Sequence, residues 1–398
     1  MSAVNESIAL DAPRPFGTSR FESVGVAALF GVAAALQFSI AAAQILLTVA
    51  VVCWLAALVV GRERFEAPGF FWPLTIYAGL TLVSAAFSYD PRTSLIGSKQ
   101  LVLFLLVPIT YRFATGGRGY MLTTVVVSCA AASAAIGIFQ YEILHYDLGR
   151  RPQGTLGHWM TYSGLLMLVF CIALARILYS RRERTWAALV LPALAVAIAV
   201  SFTRSAIVGV CAATAVLFAL KDFRLFALMP IVLAIFIAVA PGTVYKRFAS
   251  IFDMNDPTNR DRVAMLHEGA RMIRAHPLTG IGPTMVLRLY AEYRGDDAVE
   301  KINPHLHNVP LQIAAERGLP ALAAWLWFIV ALARDLWPRL RHGNGFLAAA
   351  AIACLVALLS AGLFEYNFGD SEVLMLFLIV ITLPAAADRA GGMVRAAA

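Results

Sequence analysis

Charge is what this sequence has least of. Only 14% of its 398 residues are charged, where a soluble domain carries roughly 25%. Sixty per cent are hydrophobic and the mean hydropathy is +0.75. So little polar surface cannot clothe a water-soluble core, which excludes a soluble enzyme, a disordered chain and a repeat solenoid. Short alternating segments are missing too: the apolar stretches are long unbroken runs, which argues against a transmembrane β-barrel. Cysteine is sparse. Cys53, Cys129, Cys171, Cys211 and Cys354 all sit in apolar runs with no CxxC pair, so they read as packing residues rather than a thiol metal or redox site. The net charge is +8, but the basic residues are scattered among short loops, and no nucleic-acid partner is expected. Residues 2–21 are polar, contain Pro13 and Pro15, and lack the apolar core of a signal peptide. What remains is an all-α polytopic membrane protein.

A helical span needs about 20 apolar residues. The run Val24–Val60 is too long for one helix, and Gln37 and Ser39 near its middle predict two spans joined by a tight hairpin. Further runs lie near 70–88, 97–111, 119–142 and 158–179. The stretch 185–240 is broken at Ser201–Arg204 and Lys221–Arg224 into three spans, and the last runs lie near 309–333, 345–364 and 371–387. The expected total is twelve, with a cytoplasmic tail at 1–22, spans one to nine over 23–240, an outer loop at 241–306, spans ten to twelve over 307–388, and a cytoplasmic tail at 389–398. Charge supports this orientation. With the N-terminus inside, the inner segments carry 17 basic residues and the short outer ones only five: Arg92, Lys99, Arg150, Arg151 and Arg204. Six of the seven histidines fall on the outer side.

The outer loop carries nine basic and eight acidic residues, the balance of a packed cap. Thr258 and Asp261 are spaced as a capping box, predicting a helix to about Ala275 with Val263, Leu266, Ala270 and Ile273 as its apolar stripe. His276-Pro277 ends it. Gly280-Ile281-Gly282-Pro283 is expected to open a second helix with Pro283 near its first position. Asp253, Asp256, Asp296 and Asp297 read as turn and cap residues.

The densest polar cluster is Asn303-Pro304-His305-Leu306-His307-Asn308, followed by Glu316-Arg317-Gly318 and by Pro320, which is expected to kink the tenth span. Histidine here is a candidate general base near neutral pH. Arg204, between two apolar runs, sits where a charge is costly and usually functional. Arg150 and Arg151 bring further guanidinium groups to the same face, and such forks suit phosphate oxygens. No metal site is expected: His305-x-His307 is not one by itself, and the first outer loop, Gln37–Ser39, holds no acid.

In order and topology these pieces resemble the O-antigen ligase and polymerase superfamily, which includes protein O-oligosaccharyltransferases. The likeness lies in His307-Asn308 with nine residues before Gly318, in Thr203-Arg204-Ser205, in Arg151-Pro152-Gln153-Gly154-Thr155, and in Arg271 to Gly282 ending in Pro-x-x-Gly-x-Gly. It spans roughly residues 85–365. The resemblance implies a GT-C-like fold in the bacterial inner membrane. It implies transfer of a glycan from undecaprenyl diphosphate, at the periplasmic face, onto lipid A-core or another glycan acceptor. On it, His307 is the expected base, in preference to His305, and Arg204 the expected diphosphate ligand. Arg151, Arg288, His305 and Asn308 are further substrate-binding candidates, and no metal or other cofactor is expected. A polymerase or protein O-oligosaccharyltransferase of the same superfamily is the alternative. A transporter would place ionisable residues at the bilayer midplane in repeated halves, a pattern absent from this sequence.

Overall fold

The computed structural model describes residues 16–231, 234, 241–250, 253, 255–296, 298–341 and 345–396, and among these it is helical with no strand. A chain this apolar satisfies its backbone within each segment, because a bilayer core offers no water to do so. Helices α1 (Phe16–Ala35) and α2 (Ile40–Val59) form the expected hairpin, and Ser39 Oγ caps α2 by accepting from Ala42 N at 3.4 Å. Then come α3 (Phe71–Ala86) and α4 (Pro91–Gly97), the latter running through a 3₁₀ stretch, Ser98–Leu105, into α5 (Leu106–Phe113). Four helices follow: α6 (Arg118–Glu142), α7 (Trp159–Tyr179), α8 (Arg184–Val200) and α9 (Arg204–Lys221). The loop region supplies α10 (Gly242–Ala249), α11 (Pro257–Ala275) and α12 (Val286–Tyr293), and α13 (Val309–Arg341), α14 (Gly345–Ala361) and α15 (Ser371–Ala396) complete the chain.

Among the described residues, seven segments are long and apolar enough to cross a membrane, and α3, α8 and α14 are shorter apolar helices. Of the twelve expected runs, the ninth falls largely on 232–233 and 235–240, outside the described residues, as does most of the 1–22 tail. We expect reporter fusions after Arg182 and within Asp253–Asn259 to report opposite compartments, cytoplasm and periplasm. The same compartment for both would overturn the twelve-span topology.

Helices α7 and α15 are apolar all round and buried nearly all round, so they form the centre of the bundle. Small residues let neighbours approach. A Cβ on Gly209 of α9 would lie 2.3 Å from Met167 Sδ of α7 and 2.9 Å from the Ala357 carbonyl of α14. Outward, Ile45, Val52 and Val59 of α2 are 66%, 58% and 77% exposed and stand on one stripe, an apolar face that suits lipid. At one end of the bundle the arginines are paired: Arg112 with Glu63, Arg118 with Glu22, Arg176 with Glu183, and Arg389 with Glu66. The other end carries the loops.

Four local expectations are corrected. Helix α11 begins at Pro257 with Asp256 as N-cap, its carboxylate accepting from Thr258 N at 3.0 Å, because Pro257 pre-sets the first turn. Asp261 is freed to accept from Val299 N and Glu300 N. The buried face of α11 is Ala264, Met265, Glu268 and Met272, nearly opposite the predicted stripe, and Val263 and Leu266 are exposed. Pro283 lies in a turn, with α12 starting only at Val286.

The break in α13 falls at Gly318 (φ 81°, ψ 168°), two residues before Pro320. A straight 33-residue helix would run about 50 Å, against a hydrocarbon core of about 30 Å, so the break separates an outer segment, 309–317, from the apolar stretch beyond. Across it docks the glycine turn: Ile281 N donates to Ala315 O, Gly282 N to Glu316 O at 2.9 Å, and Leu319 N to Pro277 O at 2.8 Å. A Cβ on Gly318 would stand 2.1 Å from the Leu278 carbonyl oxygen, and its backbone lies in a region essentially reserved for glycine. Gly318→Ala is therefore expected to destabilise the fold by about 3 kcal/mol or more, read as a lower melting temperature in detergent. An unchanged melting temperature would contradict the close docking.

Candidate functional site

The site begins where the outer loop enters α13. His307 sits at φ +47°, a left-handed position that a non-glycine residue occupies at a cost of about 1–3 kcal/mol. Its neighbours hold it there. Leu306 N donates to Gln312 Oε1 at 2.7 Å, Val309 N donates to Gly362 O at 2.7 Å, and Asn308 Oδ1 caps α13 by accepting from Leu311 N at 2.9 Å. The strained turn brings His305 and His307 together, with ring centroids 4.3 Å apart.

Between them stands Glu365, from the loop after α14. His305 Nε2 lies 3.2 Å from its Oε1, and His307 Nδ1 lies 3.1 Å from its Oε2. Burial opposes ionisation of Glu365, but the hydrogen bonds from His305 and His307 outweigh it and hold the carboxyl well below the usual carboxylate range. An ionised carboxylate can only accept, so each facing ring nitrogen carries the proton. In the neutral ring this leaves His307 Nε2 with its lone pair. That nitrogen is the one a general base needs, and Glu365 is the group that fixes the tautomer.

His307 lines a cavity of about 210 Å³ together with Arg262, Asp261, Asn303, Thr258 and Met160. Arg262 lies over the Phe364 ring at 5.9 Å. Burial lowers the basicity of its guanidinium, the Glu365 carboxylate counters this, and the nearby Arg204 and Arg247 lower it further. Arg204 is 4% exposed in its side chain and donates to Ser250 O at 3.0 Å and to Asp256 Oδ1 at 3.3 Å. Arg247 approaches the other Asp256 oxygen at 3.7 Å. Arg151 feels the same crowd: burial, then Arg247 and Arg204, bring its guanidinium down to about 10. Burial acts against Asp256, yet Arg204, the Thr258 hydrogen bonds and Arg247 hold its carboxyl below the ordinary value. Arg151, Arg204, Arg247 and Arg262 thus form one cationic group that Asp256 and Glu365 only partly neutralise. A compact polyanion would complete it.

The structure thus joins His305 to His307, and Arg204 to Arg151, as the candidate residues of one face. Arg151 also lies over the Trp159 ring at 5.1 Å, and its loop is pinned by Thr155 Oγ1 donating to Phe38 O and by Gln153 N and Gly154 N donating to Gln140 Oε1. Arg288 is placed differently: it is half-exposed and paired with Asp90, the N-cap of α4. Asn308 spends its amide inside the protein, its oxygen on the α13 cap and its nitrogen on Leu363 O at 3.1 Å. Three residues went unnoticed in the sequence: Glu365, Arg247 and Arg262. Glu365 follows an apolar run and looks like an end-of-helix acid. The two arginines are diluted in a loop of balanced charge, and only folding gathers them.

Residues 187–326 match a family model described as O-antigen ligase. No curated protein matches the chain. The matched segment contains Arg204, Arg247, Asp256, Arg262, His305 and His307, while Arg151 and Glu365 lie on either side of it.

Proposed function

We propose that this chain, whose residues 187–326 match the O-antigen ligase family model, is a membrane glycosyltransferase of that superfamily that moves a glycan from undecaprenyl diphosphate onto a hydroxyl of lipid A-core, at the periplasmic face of the inner membrane. The observation that carries this reading is the pairing of a tautomer-fixed His307 with Arg262 in one cavity, beside the Arg204 group. Diphosphate is already a good leaving group and needs its developing charge neutralised more than it needs a proton, a task for guanidinium forks. The acceptor hydroxyl is a poor nucleophile. It loses its proton to His307 Nε2 as its oxygen attacks the anomeric carbon. The bond from that carbon to the diphosphate oxygen breaks on the opposite face, so the configuration inverts. The electrons leave with the diphosphate onto the arginines, and Glu365 carries the imidazolium that forms.

The test is reconstitution with a lipid-linked glycan and separate candidate acceptors, scored by which acceptor gains mass. Gain on lipid A-core supports the ligase reading. Gain only on a second lipid-linked glycan or on a protein would replace it with the polymerase or the oligosaccharyltransferase. Because the arginines take the place of a metal at the diphosphate, transfer is expected to persist in EDTA. A rate that collapses in EDTA and returns with a divalent cation would overturn that part of the mechanism.

A further inference from the structure

We infer that His305, His307 and Glu365 also form a zinc site whose occupancy turns the transferase off. The inference rests on the reading of His307 as the base. Each of the three residues offers one ligand atom, a ring nitrogen of His305, a ring nitrogen of His307 and a Glu365 oxygen, and these atoms lie within 4.8 Å of one another; the nitrogens that face the carboxylate are His305 Nε2 and His307 Nδ1. Two imidazoles and one carboxylate are a donor set that zinc accepts, with a fourth position left open. Magnesium and calcium prefer oxygen ligands and would not select it. Ligands on a tetrahedral zinc lie roughly 3.3 Å apart, given bonds of about 2.0–2.1 Å. His305 Nε2 and His307 Nδ1 lie 3.2 and 3.1 Å from the Glu365 carboxylate, each against a different oxygen, so a metal held by one of those oxygens would draw the other imidazole inward. The rings that would turn onto the metal are partly exposed, 26% and 18% in their side chains.

The consequence follows from which nitrogen binds. In the metal-free pair, His307 Nδ1 bears the proton, donates it to Glu365, and leaves Nε2 free to act as base. Zinc takes the lone pair of Nδ1, so the single proton of the neutral ring moves through solvent to Nε2. The ring neither gains nor loses a proton, but the nitrogen facing the acceptor changes from acceptor to donor. The same exchange moves the His305 proton from Nε2 to Nδ1. Glu365, no longer bonded to the Nδ1 proton, has become a metal ligand. Zinc is therefore expected to lower turnover and not to support it, whereas removal of zinc by a chelator leaves the enzyme active.

The experiment uses the full chain, purified in detergent and stripped of metal. Zn²⁺ is titrated against a chromophoric chelator in the wild type, Glu365→Gln and His305→Ala, with folding checked by melting temperature. Glycan transfer is then measured over the same free-zinc range. We expect one zinc per chain, affinity at least tenfold weaker in both variants, and wild-type transfer falling as the site fills, restored by EDTA and unaffected by Mg²⁺. No saturable binding, or binding that neither variant weakens, would overturn the site. Binding that leaves transfer untouched would overturn the inhibition. The titration needs neither donor nor acceptor, so a protein that binds zinc at these residues but transfers no glycan would leave the site standing and remove the transfer reading alone.

Discussion

His307→Ala lowers glycan transfer by about 10²–10⁴-fold, the usual worth of a positioned general base, while donor binding and melting temperature stay close to wild type. The reasoning is local. The ring hydrogen-bonds Glu365 at 3.1 Å and lines the cavity, but the α13 cap is made by Asn308 and the neighbouring turn by Gln312, so the fold does not hang on the imidazole. Glu365→Gln separates position from charge. Its amide can donate to Nδ1, which would place the ring proton on Nε2 and lose the base without removing it. A carboxylate that orients a base in this way has been worth up to about 10⁴-fold in the serine-protease triad, and a comparable loss in kcat with little change in KM for donor is expected here. Glu365→Asp should recover part of it. Full activity of His307→Ala would remove the base and reopen the choice between His305 and a carboxylate.

Much of this site was legible from the chain before folding, and the parts that were not share a cause. The helical runs follow from hydropathy, and the histidine pair stands out because two imidazoles two residues apart are conspicuous in a sequence poor in charge. Glu365 could not be paired with them, since 58 residues and two apolar helices separate it from His307. Periodicity placed α11 but chose the wrong side for its buried face, because Glu268 lies on the side that packs inward and a charge there hid that face from an apolar count; its start lies at Asp256 and Pro257, a stronger helix start than Thr258. Pro320 was the obvious breaker in α13, yet the backbone yields at Gly318, where the glycine turn of the outer loop needs room for its own carbonyl. Arg204 stood out by the cost of burying it. Arg247 and Arg262 had no such signal, because a charge in a balanced polar loop looks solvated until the loop folds down.

Arg204→Ala is expected to cut transfer by about 10²–10³-fold, as removal of one preorganised donor to a developing anion does, and to weaken donor binding as well. Arg204→Lys should remain impaired, because an ammonium keeps the charge but cannot bridge two oxygens as a fork does. The rival explanation is that Arg204 merely ties the outer loop down through Ser250 and Asp256. Asp256→Asn distinguishes the two. It removes the negative charge that Arg204 and Arg247 share, so under the loop-tie explanation it should copy the loss seen in Arg204→Ala. If Arg204 binds diphosphate, Asp256→Asn instead leaves the cationic group less neutralised and donor affinity holds or rises. Arg262→Ala extends the test to the cavity wall beside His307, where the guanidinium lies over the Phe364 ring and near Glu365, Arg204 and Arg247. Loss of donor affinity in Arg204→Ala and Arg262→Ala, with Asp256→Asn spared, would assign the arginine group to the diphosphate. Equal losses in Arg204→Ala and Asp256→Asn, with melting temperatures lowered in both, would return Arg204 to a structural role.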